Sequence, residues 1–64
     1  MVSASAFAEA SDECVRASQA YHRLLEACGE PPEQAEIWAL AREAERLAAA
    51  WDRLADLMKR VERG

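Results

Sequence analysis

The chain has 64 residues, of which 52% are hydrophobic and 31% charged, with a formal net charge of -4. A chain of ~60 residues hides only about 60% of its unfolded surface, so one domain spanning 1–64 is expected, and it is marginal without a partner. The acidic balance excludes a nucleic-acid backbone or an anionic membrane as main partner, since both require clustered cations.

No apolar run approaches the ~20 residues that span a bilayer. The opening Met1–Ala8 stretch carries the small residues of a signal peptide. It lacks a basic n-region and an apolar h-region, however, and Glu9, Asp12 and Glu13 follow at once. An unprocessed, soluble, cytoplasmic protein is the expectation. Alanine dominates, arginine outnumbers lysine, Asn and Thr are absent, and the β-branched residues reduce to Val2, Val15, Ile37 and Val61. Ala, Arg, Glu and Leu all favour helix, so the fold class is all-α.

A first helix is expected to begin near Ser3 or Ser5, either of which can cap free amides of the first turn. With Phe7 as heptad position a, its seam runs Phe7, Ala10, Cys14, Ala17, Tyr21, Leu24 and Cys28. Positions c and f hold Glu9, Asp12, Arg16, Gln19, Arg23 and Glu26, a polar outer face on which Asp12 and Arg16 are spaced to pair. Half of this seam is alanine and cysteine, which lets a partner helix come close.

Gly29 stands where a helix C′ residue in positive φ belongs. Pro31 and Pro32 forbid continuation, and Pro32 suits the first position of a second helix. Read in sevens from Ile37, that helix gives Ile37, Leu40, Ala44, Leu47, Trp51, Leu54, Met58 and Val61, an unbroken apolar seam. Trp51 at a is expected in the core. Glu33 and Glu36 in the opening turns, and Lys59, Arg60 and Arg63 in the last, suit the helix dipole.

The expected architecture is an antiparallel two-helix hairpin, at about 4–28 and 32–63, with arms roughly 36 and 46 Å long at 1.5 Å per residue. Leu57, Met58 and Val61 then fall near or beyond the end of the shorter arm. The second helix is also apolar beyond a and d, with Ala41, Ala48 and Ala55 at e and Ala50 and Leu57 at g. A face that wide serves a bundle better than a two-helix seam, so a homodimer forming a four-helix bundle is expected. Its partner surface is expected to draw on Phe7, Cys14, Tyr21, Leu24 and Cys28 of the first helix. From the second it draws on Ile37, Trp38, Leu40, Leu47, Trp51, Leu54, Leu57, Met58 and Val61.

The search for chemistry yields little. Cys14 and Cys28 lie two heptads apart, roughly 21 Å by helical rise, too far to bond within one helix. Across an antiparallel pair of first helices, Cys14 would face Cys28 of the other copy, but two reduced buried thiols are the simpler reading. His22 and Glu26 share a face at metal-holding spacing, yet the seams add no further inward ligand. Glu43 and Glu45 sit at g and b beside arginines, as flanking charges. No nucleophile with its base and no glycine-rich phosphate loop can be assembled. Trp38, at b beside the Pro-Pro turn, either folds over that turn or serves as an aromatic anchor for another protein.

The stretch Ala41-Arg42-Glu43-Ala44-Glu45-Arg46-Leu47 is similar in spacing to the Ser-Gln-Glu-Leu-Asp-x-Leu signature of small bacterial aspartyl-phosphate phosphatases of the sporulation-regulator type. Those proteins are also antiparallel helical hairpins. Here Ala41 replaces the Ser and Glu45 the Asp, so the residues that define the family are missing. Hairpin proteins of plasmid copy control are similar in architecture alone, which carries no function. Two expectations result. The favoured one is a non-enzymatic, self-associating interaction module (adaptor, regulator or accessory subunit), without metal or cofactor, whose partners are a second copy and another protein. The alternative is a hairpin regulator, phosphatase-like, acting on a response-regulator partner through Glu45 and its neighbours.

Overall fold

The computed structural model describes residues 3–63, with side chains through Glu62. The expected contribution of the Arg63 side chain to the last turn lies outside the described residues. Two α-helices, α1 (Ala4–Ala27) and α2 (Gln34–Arg63), pack against each other as an antiparallel hairpin measuring 47 × 15 × 12 Å. No helix among the described residues is long and apolar enough to cross a membrane.

Ser3 caps α1: its backbone is extended and its hydroxyl accepts from Ala6 N–H at 3.0 Å. The helix ends one residue earlier than expected. Cys28 turns extended, with φ -73° and ψ 149°, while its N–H still donates to the Leu24 and Leu25 carbonyls at 3.1 and 3.3 Å.

Gly29 does not take the positive φ expected of it. In a glycine-based helix stop the Gly29 N–H donates back to a carbonyl of the last turn, whereas here it donates to a side chain from α2. The Glu36 carboxylate accepts from Gly29 N–H at 3.3 Å and from Glu33 N–H at 2.8 Å. The second contact is the returning half of a capping box, with Glu33 at the N-cap and Glu36 three residues on. The carbonyl of Glu33 accepts from Ile37 N–H at 2.9 Å, so α2 begins after Pro32 and not on it. Glu36 therefore ties the end of α1 to the start of α2. The Glu30–Pro31 peptide within this linker is cis.

The core is thin, as the composition of α1 requires. Ala10, Cys14 and Ala17 are buried from α1, and Ala50 and Leu54 from α2, with Phe7, Leu47 and Leu57 packed around them. On α1 the seam follows the expected a and d positions. On α2 it is rotated: the positions turned to α1 are d and g, with Leu40, Leu47, Leu54, Ala50 and Leu57 buried or half-buried. Trp51 is 54% exposed, and Ile37, Ala44, Met58 and Val61 are exposed too, contrary to the a/d reading.

The rotation has a steric cause. Opposite the middle of α2, α1 offers only Ala10, Cys14 and Ala17, and side chains that small allow a close helix approach with room for Ala50 but not for an indole. The overhang is also smaller than expected. Val61 borders a shallow recess with Ser3, Ala4, Phe7 and Ala8, so it lies beside the start of α1 and not past it.

Candidate functional site

The two flanks of the hairpin differ in chemistry. On one, Arg46 of α2 reaches Glu13 of α1 at 3.3 Å and lies 3.9 Å from Glu43. Arg60 pairs with Asp56 at 3.0 Å toward the end of α2. All of these side chains are a third exposed or nearly so, and those of Arg46, Asp56 and Arg60 half or more, so each pair contributes under about 1 kcal/mol. The Asp12–Arg16 pair anticipated on the outer face does not form.

The other flank carries no charged side chain from Ile37 to Met58. Successive positions a and e of α2 present Ile37, Ala41, Ala44, Ala48, Trp51, Ala55 and Met58, all exposed. On α1 the matching edge is Ala4, Ala8, Ser11, Val15, Ser18, His22 and Leu25, with Val15 and Leu25 about half exposed. Between the helices this flank dips into an open groove of about 380 Å³, whose walls include Val15, Ser18, Trp51 and Leu54, with Cys14 on its floor. The indole of Trp51 forms one wall, half of its surface open to water. An exposed apolar strip of this length is uncommon on a soluble monomer.

The surface area states the same point as a magnitude. The hairpin exposes 5059 Å². A compact monomer of 7.1 kDa exposes about 4,100 Å². The surplus of roughly 950 Å² compares with about 800 Å² per partner in a protein interface of standard size.

The residues named from sequence as the partner surface thus divide. Phe7, Cys14, Tyr21, Leu24, Cys28, Leu40, Leu47, Leu54 and Leu57 are buried or half-buried within the hairpin. Ile37, Trp51 and Met58 lie on the open flank, Val61 at its end, and Trp38, 63% exposed, beyond its edge near the turn. Missing from that list were Val15, Leu25 and the alanines of position e. A pattern of small residues in register with Trp51 was the available signal.

The remaining polar groups do not converge. His22 Nδ1 donates to the Ser18 carbonyl at 3.0 Å, and the ring meets Tyr21 edge-on at 5.8 Å. Among the described residues no three His, Cys, Asp or Glu side chains gather where they could hold a metal ion. Glu45 is exposed, and it forms no ion pair among the described residues. Both cysteines are free; Cys14 is buried in the seam, and Cys28 is half-buried at the turn. The Cys28 thiol is pushed above its ordinary value by desolvation, then by the charge of Glu36 and a hydrogen bond to it.

Compared with known proteins, the chain matches no family model, and no curated protein or solved structure aligns with it.

Proposed function

We propose that the protein is a small non-enzymatic interaction module whose working unit is a homodimer, two hairpins closing their uncharged flanks into a four-helix bundle. The observation that carries this reading is the charge-free flank from Ile37 to Met58, together with the surplus exposed area of the hairpin as a whole. A second copy suits it for three reasons. The surplus matches one protomer's share of a standard interface. Like meets like without charge repulsion, because neither copy brings a charge to the strip. And a hairpin with so thin a core gains its missing burial from an identical neighbour at no further sequence requirement.

In this reading the ion-paired flank and the outer faces stay in water. Trp38, outside the strip, stays available as an aromatic anchor for a different protein, in keeping with a role as adaptor, regulator or accessory subunit. Sedimentation equilibrium over the micromolar range tests the core of the proposal. The expected mass is twice that of the chain, with Trp38→Ala unchanged in mass. A well-folded species of single-chain mass overturns it.

A further inference from the structure

Resting on the dimer just proposed, we infer that the second copy docks with its α2 antiparallel on α2, about a twofold axis that crosses the helices between Ala44 and Ala48. The argument is steric. Along the open strip, Ile37 is followed by Ala41, Ala44 and Ala48, then Trp51, Ala55 and Met58, three bulky residues among four alanines. In a parallel register each bulky residue meets its own copy, Trp51 on Trp51, and the alanine layers between are left as voids, which close packing forbids. An antiparallel register that sets Ala44 against Ala48 sets Trp51 against Ala41 and Ile37 against Ala55, large on small everywhere but at the two central Ala44–Ala48 layers, where small side chains let the helices approach closely. The same register puts Met58 opposite Gln34 and brings no charged residue onto the strip. Sliding the pair by one heptad one way sets Ile37 against Glu62, a carboxylate on an apolar contact, and sliding it the other way sets Trp51 against Gln34 and carries Met58 past the start of the opposing α2. The arrangement is isologous, as a closed dimer requires.

The alternative stacking, with the twofold parallel to the helices, seats α2 on α1 of the second copy and separates the two α2 helices diagonally. Two measurements distinguish the two in a Cys14→Ala, Cys28→Ser background whose dimer mass is checked first. Ala44→Cys and Ala48→Cys chains, distinguishable by size, are mixed and oxidised. The mixed disulfide is expected to dominate over either self-linked product, because residues 44 and 48 meet at the same height while each lies about 6 Å along the axis from its own copy. Separately, a nitroxide on Lys59→Cys, an exposed position off the strip, is expected to lie about 39 Å along the axis from its copy, from 26 residues of offset. A dimer without the mixed disulfide, and with nitroxides at the same height within about 20 Å, on the order of two helix diameters, overturns the α2-on-α2 geometry and leaves the dimer standing. A single-chain mass in the wild-type protein overturns both.

Discussion

Trp51→Ala separates the seam that the hairpin uses from the surface it leaves open. A Trp side chain carries up to about 250 Å², so 54% exposure leaves roughly 130 Å² to be covered by a partner. At ~25 cal/mol per Å² that is about 3 kcal/mol per protomer and ~6 kcal/mol per dimer as an upper limit. Association returns only part of such area. About half, ~3 kcal/mol, already weakens the dimer by at least about 100-fold in Kd. Sedimentation equilibrium and urea titrations at several protein concentrations read the effect. The wild-type midpoint is expected to rise with concentration and the Trp51→Ala midpoint to lose most of that rise. Leu54→Ala serves as the contrast, since Leu54 is buried inside the hairpin. It is expected to lower stability by about 2–4 kcal/mol at every concentration. A Trp51→Ala dimer constant within threefold of wild type refutes the reasoning.

The remaining predictions concern the turn. Glu36→Ala removes the acceptor shared by Gly29 and Glu33 and is expected to cost about 1–2 kcal/mol in chemical denaturation. Glu36→Gln, which removes the charge, is expected to move the pH profile of Cys28 alkylation downward, because that charge helps hold the thiol protonated; an unmoved profile counts against the contact. The folded chain binds the Cys28 proton more tightly than the unfolded chain, whose thiol keeps its ordinary value of 9.0. The stability from this group is therefore complete below that pH and fades as pH rises through the folded value, a loss expected to be smaller in Cys28→Ser. Gly29→Ala is expected to leave stability unchanged or raise it by up to about 1 kcal/mol, since the glycine is not in positive φ. An added Cβ would meet only Pro31 O at 3.5 Å and Glu36 Oε1 at 3.8 Å. A clear loss in the same titration would show that the turn does need glycine.

Much of the fold was legible before any coordinates. A cap at Ser3 or Ser5, the stop before Pro31 and Pro32, and the Phe7-to-Cys28 stripe of α1 follow from local rules: amides need acceptors, proline lacks a donor, and a 3.6-residue period puts chosen side chains on one face. These are properties of a single helix or turn, so one sequence suffices to state them. The seam of α2 was not legible in the same way. Its apolar residues fill a, d, e and g alike, and the pattern by itself does not say which edge of so wide a stripe turns inward. Contact with α1 decided it: Ala10, Cys14 and Ala17 admit Ala50 and Leu54 and leave no room for Trp51. The same holds for Glu36, a dipole-suited residue by sequence that becomes the tie between the two helices only once the turn brings Gly29 within reach. Two helices, their order and their polar outer faces are written in the local chemistry of the residues. Which apolar edge is spent on the hairpin and which is left open depends on the shape of the opposing helix, and so emerges only when the two helices pack.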